Sequence, residues 1–433
     1  KGYMQFLDDA KTEREAVTEA IRQAEACGYK PYTIGDKIAV GDKFYLNNRG
    51  KSVYFVKVGS EAIEDGIRIT AAHIDSPRID LKQVPLYESD GMAFLKTHYY
   101  GGLRKYQWLA IPLAMHGVIV KADDTVVDVN IGEDDSDPIF YINDLLPHLG
   151  RADEAKPLGS AIPGEKLNIL VGSQPLYEEG EDKPAADGVK LNVLKMLNER
   201  YGIVEEDFIS AELSIVPAMK ARDVGFDRSM IGAYGHDDRV CSYPALTALF
   251  ESEDSVHTRM AILADKEEIG SVGISGMQSQ VFEYFMEILC DAQGVKLSHC
   301  FQNSFCLSAD VSNAHDPNFA ETEDRRNNSA LNYGVAICKY TGSRGKGGAS
   351  DASAEAMGHI RTTFQKAGVI WQIATLGKVD QGGGGTVAAY MANRNIVTVD
   401  AGVPVIAMHA PIEVVSKLDC YETYLACKAI YLA

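Results

Sequence analysis

No run of about 18 apolar residues occurs anywhere in this 433-residue chain, so nothing in it reads as a transmembrane helix. Cysteine pairing is equally scarce. The eight cysteines (27, 241, 290, 300, 306, 338, 420 and 427) form no CxxC pair, which excludes a cysteine zinc site of the usual spacing. Their apolar surroundings point to reduced, buried, small hydrophobes and hence to a cytoplasmic protein. Positive charge is in deficit: 42 Lys and Arg stand against 61 Asp and Glu, for a net charge of -19. Without a basic face, nucleic acid and anionic membranes are excluded as partners. An acidic surplus does suit a protein that holds cations. The opening "KGYMQFLDDAKTEREAV" mixes charges in a helical pattern and lacks the apolar centre of a secretory signal. There is no internal repeat and no low-complexity tract.

The length exceeds what one hydrophobic core normally fills, so two domains are expected. An amphipathic helix is predicted over residues 4–27, with Phe6, Leu7, Ala10, Ala16, Ile21 and Ala24 on one face and Gly28 as its stop. Strands follow at "DKIAV", "KFYLN", "SVYFVKV" and "IRITAAH". From residue 86 the texture changes to antiparallel-type strands such as "AFLKTHYY", "PLAMHGVIVK" and "TVVDVNI". The polar loop "YEEGEDKPAADG", the helix "VKLNVLKMLNERYG" and the strand "ISAELSIVPAMKA" complete this section. After it, "RMAILAD", "SFCLSAD" and "NIVTVDAG" alternate with helices, the signature of an α/β sheet covered by helices on its faces. The expected organisation is a first part over 1–85, a β-rich insertion over 86–232 and a second part over 233–433.

Four of the strand-like runs end in a side chain able to hold a metal. "IRITAAH" ends at His73, "AILADKEE" at Glu267 and Glu268, "CLSAD" at Asp310 and "VPVIAMH" at His409. Open α/β sheets collect ligands outside the carboxyl ends of their strands, so these endings can converge. The pair Asp237–Asp238 in "GHDDRV" precedes a further helix. Each element alone has a bland explanation, as a helix cap, a solvated turn or a core histidine. Together they fit a two-metal hydrolase, which needs a bridging carboxylate and about two further ligands per ion. Asp237 can bridge, His73 and Asp310 can complete one ion, and Glu268 and His409 the other. Glu267 is then left to take the proton from the attacking water and pass it to the leaving amine. Asp75, two residues beyond His73, can accept the other imidazole N–H and fix its tautomer. Asp238 is expected behind the ligands.

In this order, "HIDSP" (73–77), "DD" (237–238), "DKEEIGS" (265–271), "SAD" (308–310) and "AMH" (407–409) resemble the aspartyl aminopeptidase family of dinuclear zinc exopeptidases. The likeness takes in "YGGL" (100–103) and "DQGGGGT" (380–386), and "DDR" is nearer to the related tetrahedral aminopeptidases. The resemblance implies a zinc-exopeptidase-like catalytic domain, a mixed sheet sandwiched by helices, with the insertion acting in dimerisation. It implies His73, Asp237 and Asp310 on one ion, Asp237, Glu268 and His409 on the other, Glu267 as general base and Asp75 as orienting acid. It further implies that His148, in "INDLLPHLG", reaches a neighbouring subunit's site, and that dimers assemble into a tetrahedron of twelve copies. The substrates would be peptides with acidic N-terminal residues, for which Lys378, Arg344 and Lys346 are the candidate cations. Gly383 and Gly384, in a run that lacks the Lys-Ser/Thr of a P-loop, would let peptide backbone approach. Ligand type favours Zn2+, with Co2+ or Mn2+ as alternatives. The same chemistry would serve a carboxypeptidase or an N-acyl amino-acid deacylase, and a non-catalytic assembly stabilised by metal is a third reading.

Overall fold

The computed structural model describes residues 1–177 and 183–433. The chain forms two compact units, one of Lys1–Ser76 with Ala221–Met408 and Ile412–Ala433, the other of Pro77–Lys220 with His409–Pro411. These junctions fall earlier than the 85/86 and 232/233 expected from sequence. The strand Arg78–Ser89 already pairs with Met92–Tyr100 in the second unit. At the return, Arg222–Val224 and Met230–Ala233 form a hairpin that continues onto Glu413–Ser416 of the first unit.

The first unit is built on a nine-stranded mixed sheet. Its centre is four adjacent parallel strands: Arg259–Ala264, Arg68–His73, Phe305–Ser308 and Val397–Gly402. Every residue of Arg259–Ala264 is buried, as expected of a parallel strand covered on both faces. Ala261 and Leu263 pack with Leu307, Val399 and the helices Glu13–Ala26, His236–Phe250, Ala354–Ala367 and Lys417–Tyr431. Met260 and Ile262 pack on the other side with Phe282, Phe285 and Met286 of the helix Val281–Ala292. This is the α/β sandwich read from the alternation of elements. A smaller five-stranded sheet joins the hairpin at 222–233 to Glu413–Ser416, Pro404–Ile406 and Ser312–Asn313. The second unit is a seven-stranded antiparallel sheet with the helix Gly188–Tyr201, β-rich as the sequence texture indicates.

Three local expectations change. The helix predicted over 4–27 is two helices, Gly2–Asp9 and Glu13–Ala26. Thr12 and Glu15 form a reciprocal capping box that starts the second one afresh. "DKIAV" is no strand, because Asp36 and Asp42 capture the N–H groups of Thr33 and Ala39 and fold the chain into turns. Cys27 is exposed and Cys420 half-buried, while the other six cysteines are buried. Part of the loop "YEEGEDKPAADG", residues 178–182, lies outside the described residues. Among those described, no helix is long and apolar enough to cross a membrane.

Candidate active site

Because the central strands run parallel, their carboxyl ends open on one edge of the sheet. His73 closes the strand Arg68–His73, and Asp310 follows two residues after Phe305–Ser308. Asp237 comes from the other direction. It sits at the start of the helix His236–Phe250, where Asp237 and Asp238 depart from helical geometry. One donor atom from each of His73, Asp237 and Asp310 lies within 4.8 Å of the others, and all three residues are buried.

The imidazole of His73 is held from both ends. Its Nδ1 lies 3.0 Å from the backbone oxygen of Asp75 and 3.3 Å from that residue's carboxylate, while Nε2 faces Asp237 Oδ1 at 3.1 Å. The acceptor fixing the tautomer is therefore first the Asp75 carbonyl. The strand has ended at His73, so Asp75 does not continue on its face. Its carboxylate instead accepts the N–H of Glu267 on one oxygen and the N–H of Glu268 on the other, both at 3.1 Å. A single buried acid thus grips the turn Glu267–Ile269 that carries both glutamates. Glu267 reaches back to within 3.8 Å of His73 Nε2. Ser275 Oγ donates to Asp265 Oδ2 at 2.5 Å and closes the loop behind that turn.

Asp237 is gripped at both ends of its residue: its N–H donates to Glu413 Oε2 at 3.0 Å and its carbonyl accepts from Ser76 Oγ at 2.6 Å. The register Ala233↔Glu413 brings Glu413 there. Sequence reasoning missed Glu413. Its only signal was its place four residues after His409. Asp238 accepts the His73 backbone N–H at 3.3 Å, which puts it behind the donor set as expected.

Electrostatics fit a cation at this place. Burial opposes protonation of His73, yet Asp237 and Asp75, with Glu267 beyond them, outweigh it and hold the imidazole well above its ordinary value. Burial, and then Asp238, push the Asp310 carboxyl well up, with His73 the one opposing influence among the leading ones. Crowded carboxylates that raise one another are stabilised by bound positive charge. One imidazole among carboxylates is also the ligand chemistry of catalytic zinc.

The remaining predicted residues are distributed as follows. Glu268 is half-buried on the same turn as Glu267. His409 begins the three-residue segment His409–Pro411, and its Nδ1 lies 2.9 Å from the Gly102 carbonyl oxygen. His148 is exposed on the short 3₁₀ turn Pro147–Leu149 of the second unit. Two of the three candidate substrate cations have other engagements: Lys378 donates to the Glu321 carbonyl at 2.5 Å, and Lys346 pairs with Asp351 at 2.9 Å over the Tyr340 ring. At Gly383, with φ +129°, an added Cβ would come within 2.0 Å of the Gly342 carbonyl oxygen. Gly383 is thus required by loop packing. A Cβ added at Gly384 would meet Leu376 at ordinary contact distance, so a side chain is not excluded there.

Buried imidazole and carboxylate donors, gathered where parallel strands end and a helix begins, define an α/β protein with a candidate metal site. The chain matches, over residues 6–431, the family described as aminopeptidase I zinc metalloprotease (M18), and it belongs to that family. It is 50% identical to the "Probable M18 family aminopeptidase 1" of Clostridium acetobutylicum, across 97% of this chain and 91% of that protein. The crystal structure of the M18-family aminopeptidase from Thermotoga maritima superposes with a TM-score of 0.94 at 44% identity, covering 100% of this chain and 95% of that one. The S. cerevisiae mApe1 dodecamer shares the fold, with a TM-score of 0.80 at 20% identity over 99% of this chain and 95% of that one. The protein is an aminopeptidase, a hydrolase of the zinc metalloprotease type. The carboxypeptidase, deacylase and non-catalytic readings are set aside.

Proposed function

We propose that this aminopeptidase holds two divalent ions, Zn2+ before Co2+ or Mn2+, with Asp237 shared between them. His73 and Asp310 would complete one ion, and Glu268 and His409 the other. The observation that carries this reading is the gathering of His73, Asp237 and Asp310 donors within 4.8 Å. Glu268 and His409, in "DKEEIGS" and "AMH", are carried over from the family pattern for the second ion. Bound ions supply Lewis acidity toward the scissile carbonyl.

The residues do the rest. Glu267, half-buried and anchored through its own N–H to Asp75, takes the proton from the attacking water and delivers it to the leaving amine. Asp75 keeps that carboxylate in place, and Glu268 on the same turn would help to hold an ion. His73 keeps Nε2 available as a ligand because its Nδ1 proton points at Asp75. Amino-acid p-nitroanilides, presented with a free or a blocked amine and with each metal in turn, test this reading. Hydrolysis that ignores the amine would overturn the aminopeptidase assignment. The same panel decides the acidic preference, for which Lys378 and Lys346 offer no free ammonium.

Replacing Asp75 with Asn leaves one acceptor oxygen for two N–H donors. We expect Asp75→Asn to lower kcat by about 10²-fold with a smaller change in KM, since the glutamate turn is displaced rather than the substrate contacts. Unchanged kcat would refute the clamp.

The inserted unit is proposed to act in dimerisation, with dimers assembling into a dodecamer of the kind named for mApe1, and His148 of a neighbouring copy to support the oxyanion. Exposed Leu145, Leu146 and Leu149 beside His148 support an interface there. His148→Ala oligomers should be nearly inactive alone. Reassembled with Glu267→Gln subunits they should regain activity, because each mixed pair then holds one intact site. No recovery would exclude a contribution across subunits. The absence of paired cysteines supports a reducing, cytoplasmic location, which cell fractionation would check.

A further inference from the structure

At the opposite end of the strand that carries the glutamate turn lies an arginine without a partner. Arg259 begins the strand Arg259–Ala264, is 0% exposed, and has no hydrogen bond from Nε, Nη1 or Nη2 to any described residue. The hydroxyl of Tyr29, 2% exposed, is likewise unpartnered among the described residues. Tyr29 packs edge-on against Phe55, whose strand partner Ala261 lies two residues along from Arg259 on the same face, and each of Arg259 and Tyr29 favours the charged form of the other against its burial.

The sheet adds to the positive charge. Register sets Lys57 and Arg68 on either side of Arg259 and on the same face. Both neighbours are accounted for. Lys57 donates to the Ser252 carbonyl at 2.8 Å, just past the helix His236–Phe250, and pairs with Asp254 at 3.2 Å. Arg68 donates to the Ala433 carbonyl at 3.0 Å, just past Lys417–Tyr431, and meets His257 Nε2 at 2.9 Å. Each therefore caps a helix C-terminus, where a cation is favoured. Arg259 caps nothing. Asp254 exerts some attraction on it, but that carboxylate is 96% exposed and engaged by Lys57. Burying an unpaired guanidinium costs more than a nearby helix dipole returns.

We propose that Arg259 and Tyr29 hold a small monovalent inorganic anion, chloride in the cell, as a structural ligand of the first unit. The anion accepts hydrogen bonds from the guanidinium and the phenol and supplies the missing countercharge beneath Phe250 and Tyr431, which cover this face. Arg259 lies about 17 Å from the far end of its strand at Ala264, at roughly 3.3 Å per residue, and the glutamate turn lies beyond that end. The anion's role is therefore to pin the helix ends to the sheet and not to take part in peptide hydrolysis. Nothing in this inference depends on the ion assignments at the active site.

The test uses the full-length, metal-loaded protein in sodium gluconate, titrated with sodium chloride at constant ionic strength. A saturable rise of several degrees in the thermal midpoint is expected, because a ligand that binds only the folded state stabilises it. Crystals grown in bromide should show an anomalous peak between Arg259 and Tyr29. Tyr29→Phe removes one of the donors and should raise the chloride concentration for half-maximal stabilisation about 10-fold, as for a hydrogen bond to a charged group. Arg259→Met should abolish the effect, and should it fail to fold, Tyr29→Phe decides. A midpoint indifferent to chloride, an unchanged titration in Tyr29→Phe, or water alone at the site overturns the proposal.

Discussion

Glu267→Gln should fold, bind its full complement of metal and turn over peptides roughly 10²- to 10⁴-fold more slowly. The substitution is nearly isosteric, and the backbone N–H that anchors residue 267 to Asp75 is untouched. Glutamine keeps the hydrogen-bonding shape but cannot carry the proton between water and amine. The loss should fall on kcat, with KM close to that of the parent. Metal analysis must accompany the assay. Full metal content with near-normal hydrolysis of an amino-acid anilide would refute the general-base role, whereas lost metal would move Glu267 into the ligand set.

The larger loss is expected at Asp237. If its carboxylate is shared, Asp237→Asn should strip both ions and remove measurable activity, whereas Glu268→Gln should weaken only one. The backbone contacts of residue 237, to Glu413 and Ser76, survive the change, so the protein should remain folded. Elemental analysis after dialysis against limiting zinc separates the outcomes. Retention of both ions in Asp237→Asn would exclude a bridging carboxylate, whatever the activity.

What could be read from the chain and what could not divides along physical lines. His73, Glu267, Glu268 and Asp310 stood out because each ends an apolar run, and a parallel sheet brings such endings to one edge. Asp237 was visible as a helix-initiating acid, but not the departure from helical geometry at 237–238. Asp75 was expected beside His73, yet its grip on two N–H groups 192 and 193 residues away depends on tertiary placement. Glu413 reaches the site through strand register, which no local pattern encodes. The break at Thr12 could have been seen, since Thr-x-x-Glu is a capping box, but the helical spacing across it is continuous. "DKIAV" offers a short apolar run that a strand could use, but Asp36 and Asp42 outcompete the ladder by binding nearby N–H groups. Gly383 illustrates a different case: its approach to the Gly342 carbonyl leaves no room for a side chain, a loop contact that the sequence alone does not reveal.

The order in which the donors occur along the chain has a consequence for synthesis. His73 leaves the ribosome early, an entire second unit follows from Pro77 to Lys220, and Asp310 comes later still. The strand ending before Asp310 is also flanked by Val397–Gly402, made later again. A growing chain should therefore hold no assembled donor set until the segment through Val397–Gly402 has been made.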